Sequence, residues 1–141
     1  MSLETKITYL DGVRFRVSAR THELTSDQPF ENGGADTGMT PPELLLASLG
    51  SCVAYYAAEY LRTRRMPASG LTITVSAQKA QAPARLTDFK IQLRAPGVSD
   101  QRHRDGILRA AKSCLIHNTL MNVPTVEIEL DKKITEVEQH G

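Results

Sequence analysis

Tryptophan is absent from this sequence, and the aromatic share is only 5%. Its core must therefore be filled by aliphatic side chains. Cysteine is scarce, with two in 141 residues, too few for a small secreted scaffold held by disulfides. An excess of one charge is also lacking. Lys plus Arg is 17, Asp plus Glu is 16, and the net charge is +1. That excludes the basic surplus of a nucleic-acid or anionic-membrane binder. No GxSxG, HExxH, P-loop or CxxC pattern occurs, so the common hydrolase, metalloprotease, nucleotide and zinc signatures are missing. The longest uncharged apolar stretch, Leu44 to Ala58, has fifteen residues, against the ~20 that span a bilayer. Residues Met1 to Leu10 carry Glu4 and lack the apolar run of a signal peptide. The expectation is a cytoplasmic protein with reduced thiols and neither nucleic-acid nor membrane partners.

What is present is an ordinary globular composition, 40% hydrophobic and 23% charged, of a length that suits one domain over residues 1–141. Ile7 to Leu10 and Val13 to Val17 flank Asp11-Gly12, the signal for a type I′ hairpin. Strand character resumes at Thr21 to Leu24, and a Gly-rich, acidic loop follows. Thr40-Pro41-Pro42-Glu43 reads as a capping box with Pro at the first helical position. That helix is expected to reach about Arg65. Leu71, Ile73 and Val75 alternate with polar residues, as do Phe89, Ile91 and Leu93, the pattern of an antiparallel hairpin. Ser99 or Asp100 caps a second helix predicted to run to Leu120. A last strand over Thr125 to Leu130 completes six strands, expected as one mostly antiparallel sheet in an α+β fold.

The first helix sets a packing problem. Between Leu44 and Ala58 its apolar residues cover every face, so it must be buried all round. One sheet and one helix of a small domain leave a side uncovered. A homodimer that packs the long helices of two chains together solves this.

The candidates for chemistry are the cysteines. Both lie in apolar helical segments, Ser51-Cys52-Val53-Ala54 and Ser113-Cys114-Leu115-Ile116. They read either as two small buried hydrophobes or as a redox pair, 62 positions apart, which needs Cα atoms within ~7 Å. A reactive thiol needs a cation nearby; Arg14, Arg16 and Arg20 of the N-terminal strands are candidates. Glu43 is explained by capping and can also contribute across a dimer interface. His117, three residues after Cys114, reads as a hydrogen-bonded helix histidine or as a base. The basic groups Arg62, Arg64, Arg65 and Arg102, His103, Arg104 read as solvated helix ends.

Pro41-Pro42-Glu43-Leu44-Leu45-Leu46-Ala47-Ser48-Leu49-Gly50-Ser51-Cys52 and Cys114-Leu115-Ile116-His117-Asn118-Thr119-Leu120 together resemble the osmotically inducible protein C family, which includes the organic hydroperoxide resistance proteins. The resemblance covers nearly the whole chain. It implies antiparallel sheets wrapping two long central helices in an intertwined homodimer, with sites at the interface. It implies thiol-dependent reduction of organic hydroperoxides without metal, flavin or haem, Cys52 being the peroxidatic and Cys114 the resolving cysteine. The reaction partners are then a hydroperoxide and a thiol or dithiol reductant. In the organic hydroperoxide branch a Glu follows the helix-opening Pro and pairs with an activating Arg. Here Pro42 holds that position and Glu43 comes one step later. Leu115 stands where better-known members have Pro. These departures place the chain in the broader family, where Glu43, Arg14 and Arg16 are the candidates to support Cys52. The other readings are a non-catalytic ligand-binding dimer and a thiol redox sensor.

Overall fold

The computed structural model describes residues 2–132; the expected single domain extends past both ends of that span. It is an α+β arrangement of two antiparallel sheets and three helices. Strands β1 (Lys6–Asp11), β2 (Arg14–Ala19) and β3 (His22–Ser26) form a three-stranded meander. Strands β4 (Thr72–Ala80) and β5 (Arg85–Arg94) form a separate two-stranded sheet. The single sheet expected from the alternation is thus two sheets. The first turn also differs. Asp11 pairs with Arg14, so Gly12 and Val13 are the central residues. Only Gly12 has a positive φ, 47°, whereas type I′ requires one at both.

In chain order, helix α1 (Pro41–Thr63) follows the first sheet and precedes the second. Its start is the capping box read from the sequence. The Thr40 hydroxyl accepts from the Glu43 N–H at 3.4 Å. The Glu43 carboxylate accepts from the Thr40 N–H at 3.0 Å. The reciprocal bonds satisfy two otherwise orphaned donors. By length and composition α1 is apolar enough to cross a membrane. However, its inner face, Leu49, Gly50, Val53, Ala57, Tyr60 and Leu61, is buried against β4 and the following helix, α2 (Gln101–Lys112).

The core has two parts. Ala57, Tyr60, Leu61, Val98 and Ile107 form one. Leu49, Val53, Ala111 and Cys114 form the other, roofed by Ile73, Val75 and Ile91. Leu93 packs against both. The register sets Ile73 opposite Leu93 and Val75 opposite Ile91, so the apolar alternation delivers these pairs to one face.

The single long second helix expected from the stripe is two. Asp100 caps α2, accepting from the His103 N–H at 3.0 Å. The helix ends at Lys112, and α3 (Leu115–Met121) begins after Cys114. Cys114 itself is extended, with ψ 128°, and caps α3. The stripe of Ile107, Ala111, Cys114 and Asn118 continues through the break, which hides it from a periodicity reading. The strand expected over Thr125 to Leu130 is not formed. Val126, Ile128 and Leu130 are 79, 94 and 80% exposed, and they pair with no strand among the described residues.

One buried carboxylate organises the approach to α1. Asp27 is fully buried. It accepts from the Thr37 hydroxyl at 2.6 Å and from the N–H groups of Gln28 (2.7 Å), Thr37 (3.0 Å) and Ala35 (3.3 Å). The Thr37 hydroxyl does most to hold its pKa down at about 2. Burial opposes this, and the three N–H groups reinforce it.

Two outcomes follow. Leu61 has no exposed surface, so Leu61→Ala should lower unfolding free energy by about 2–5 kcal/mol, read by urea denaturation. For Asp27 the folded pKa lies below the unfolded value of about 3.9. Its contribution is complete above pH ~4 and is lost as pH falls towards about 2. Stability measured from pH 5 to 2 should show that acid limb, and Asp27→Asn should remove it.

Candidate active site

The two cysteines, far apart in sequence, meet in the second half of the core. Cys52 is carried by α1 and is half-buried, packed against the cluster of Leu49, Val53, Ala111 and Cys114. Cys114, at the break between α2 and α3, is fully buried. Its sulfur accepts from the His117 N–H at 3.3 Å. Burial pushes the Cys114 thiol up, and the neighbouring Cys52 thiol adds to this. The N–H groups of His117 and Ile116 pull partly back. The pair is therefore asymmetric. One thiol borders the open side of α1, and the other is held protonated inside.

That open side follows from helix geometry. Residues 45, 48, 52, 55, 59 and 62 recur at three- and four-residue steps, so they share one face. Leu45 and Tyr55 on it are 37 and 63% exposed. One turn from Cys52, Tyr56 lines a groove of about 590 Å³ with Ser113, Leu115, Asn118, Thr119, Asn122 and Pro124. Its lining includes both chain neighbours of Cys114, Ser113 and Leu115, and it combines apolar surface with amide and hydroxyl groups. Neither Tyr56 nor the helix break was singled out by the sequence reading. Tyr56, four residues after Cys52, was the available signal.

The remaining candidates do not join the cysteines within one chain. Glu43 is fully engaged at its cap. The Thr40 N–H, then its hydroxyl, hold its carboxyl below the usual range. Arg14 makes a two-pronged ion pair with Asp11, at 2.8 and 2.9 Å. Arg16 faces Glu23 at 3.9 Å. Arg20 sits at the turn after β2 with a φ of 56°. All three arginines belong to the N-terminal sheet, which shares no extended contact with the helices among the described residues. His117 uses its backbone, not its ring, to bond Cys114. Its Nδ1 is buried and has no partner among the described residues. Among those residues no three His, Cys, Asp or Glu side chains converge to hold a metal ion.

Known proteins share this architecture. The OsmC-like protein family matches residues 33–129, a span holding both cysteines, the capping box and all three helices. No curated protein matches the sequence. Among solved structures, one from Psychrobacter arcticus, described provisionally as an osmotic stress induced and detoxification response protein, has a TM-score of 0.75 at 23% identity, covering 84% of this chain and 88% of that one. An OsmC-like protein from Mycoplasma pneumoniae has a TM-score of 0.75 at 17% identity, covering 93% of this chain and 95% of its own. An organic hydroperoxide resistance protein from Elizabethkingia anophelis, crystallised with thiocyanate, has a TM-score of 0.65 at 19% identity, covering 87% of this chain and 90% of that one. These likenesses speak for the fold. With a family match over more than half of its residues, the chain belongs to the OsmC-like protein family.

Proposed function

We propose that the protein is a cytoplasmic, thiol-dependent peroxidase that reduces organic hydroperoxides in oxidative-stress defence. Cys52 is the attacking thiol and Cys114 the resolving one. The observation that carries this reading is the cysteine pair itself. Two residues 62 positions apart pack in one apolar cluster, one half-buried and one fully buried. Family membership supports it, since a relative of the same fold is an organic hydroperoxide resistance protein.

The chemistry suits the asymmetry. The Cys52 thiolate attacks the outer peroxide oxygen, the O–O bond breaks, and the alkoxide leaves as alcohol after taking a proton. Cys52 is then a sulfenic acid. Cys114, kept protonated by burial, resists oxidation until that sulfenic acid forms beside it. Its sulfur displaces the hydroxyl, its proton leaves with that hydroxyl as water, and a disulfide forms. Two electrons pass from the thiols to the peroxide. A thiol or dithiol reductant restores the pair by exchange. The groove at Tyr56 and Leu115 offers apolar surface for the organic tail.

The site is completed by a homodimer. One chain leaves Leu45 and Tyr55 of α1 uncovered, with Ile7, Tyr9 and Leu24 of the N-terminal sheet and Val126, Ile128 and Leu130. A second copy packed on α1 buries these and brings a guanidinium from β2, Arg14 or Arg16, towards Cys52. That cation is what a thiolate requires.

Intact-mass measurement of reduced protein, before and after one equivalent of cumene hydroperoxide, tests the redox pair. The parent should lose two hydrogens. Cys52→Ser should not react, and Cys114→Ser should stop at the sulfenic acid or an intermolecular disulfide. An unchanged parent, or a Cys52→Ser variant that reacts alike, leaves two structural thiols and favours a ligand-binding dimer. Sedimentation tests the assembly. The parent should run at twice the chain mass, and Tyr55→Asp should shift it to the monomer. A monomeric parent sinks the interface.

A further inference from the structure

A second cleft lies where the C-terminal end of α1 meets α2, with a volume of about 400 Å³. That is within the size of small-molecule sites, roughly 300–1,000 Å³. Its polar lining is almost wholly cationic or hydroxylic: Arg64, Arg102, Arg109, His103, Tyr60 and Ser113. We propose that this cleft binds a phosphate group, free or carried by a small phosphomonoester. The proposal does not depend on the thiol chemistry.

The charges there have no answer within the described chain. No carboxylate lines the cleft, and none pairs with Arg102 or Arg109 among the described residues. The nearby acids are engaged elsewhere. Glu59 is held by Arg62 at 2.8 and 2.7 Å. Asp105 accepts from Gln101 at 2.8 Å. Asp100 caps α2. The macrodipole accounts for cations at helix C-termini, which covers Arg64 and Arg109. It does not account for Arg102, which stands in the first turn of α2, where no acidic residue is present and a cation is disfavoured. Convergence of three guanidinium groups without a counter-charge costs stability, and a bound anion offsets that cost.

The cleft is also shaped. The Tyr60 hydroxyl and the His103 Nδ1 lie 2.9 Å apart in a hydrogen bond at its floor. Gly106 makes room for them, since a Cβ there would run into that hydroxyl. Glycine inside a helix is less favourable than alanine, so the opening is maintained at the expense of α2. The Arg64 guanidinium sits over the Tyr60 ring, its Cζ 3.7 Å from the centroid. Its Nη1 bonds the Tyr60 carbonyl and the Thr63 hydroxyl, each at 3.2 Å. That leaves its other donors for a ligand.

The number of guanidinium groups selects the anion. A carboxylate presents two oxygens and one charge, which one or two planar forks saturate. A phosphate presents at least three terminal oxygens and between one and two charges near neutral pH, and it matches three forks.

Titration calorimetry at physiological ionic strength, where surface attraction is screened beyond ~8 Å, tests this with inorganic phosphate, glycerol phosphate and acetate as probes. Both phosphates should bind saturably at one site per chain, and acetate should not. Tighter binding of glycerol phosphate identifies the ester as the source; equal binding identifies free phosphate. Arg102→Gln with Arg109→Gln should weaken binding about tenfold or more. That double variant should keep the parent's helical circular dichroism and its response to hydroperoxide. If it does not fold, Arg64→Gln alone carries the test with the same expected direction. Absence of saturable phosphate binding, acetate binding as tightly as phosphate, or unchanged affinity in a folded variant would overturn the assignment.

Discussion

Everything in this fold depends on covering α1. Between Leu44 and Ala58 the helix has apolar residues on every face, and one chain supplies a lid for one of them. The β4–β5 sheet and α2 take the face of Leu49, Val53, Ala57 and Leu61. Burying an aliphatic side chain of this kind stabilises by about 1.5–3 kcal/mol, so an uncovered second face is a driving force in waiting. The N-terminal meander has the same character. It is well paired within itself, yet Ile7, Tyr9 and Leu24 face outward. Its tie to the rest is local. Ser26 forms a bridge with Met39, and the Asp27 carboxylate gathers the intervening loop.

The same constraint explains where Cys52 stands. A residue deep in the inner face would be inaccessible, and one on a solvated face would have no buried neighbour. Cys52 lies on the line between, touching the cluster of Cys114 on one side and bordering open surface on the other. The cysteine on the covered side carries the thiol pushed up by burial. The difference in exposure between the two sulfurs thus follows from packing.

The parts of this structure that sequence reasoning reached are those decided within a few residues. The capping box needs only Thr40 and Glu43. The β4–β5 pair needs only alternation. The resemblance to the family is carried by two short motifs, and the family match over residues 33–129 bears it out. What escaped was decided by distant partners or by backbone. The α2–α3 break leaves the apolar stripe intact, so periodicity passes over it. The alternation of Val126, Ile128 and Leu130 is real, but a strand also needs an edge, and alternation does not say whose. Arg14 and Arg16 were read as partners of a thiol. Within one chain, Arg14 pairs with Asp11 across a tight turn and Arg16 faces Glu23 on the next strand, so their place at the thiol is left to a second copy. Asp27 was invisible because an aspartate in a polar loop has no signature until Thr37 and Ala35 fold back onto it.

The position of Cys114 has a consequence for anyone who replaces it. Its sulfur, the resolving group of the proposed chemistry, is also the first acceptor of α3. Deleting the thiol therefore also edits the start of a helix. Alanine would strip the acceptor, a change that costs on the order of 1 kcal/mol at an ordinary N-cap. Serine would keep an acceptor of similar reach and remove only the redox chemistry. A null phenotype from the alanine form would confound a frayed helix with a missing electron donor. The comparison of serine with alanine, more than either alone, separates the architecture of this position from its chemistry.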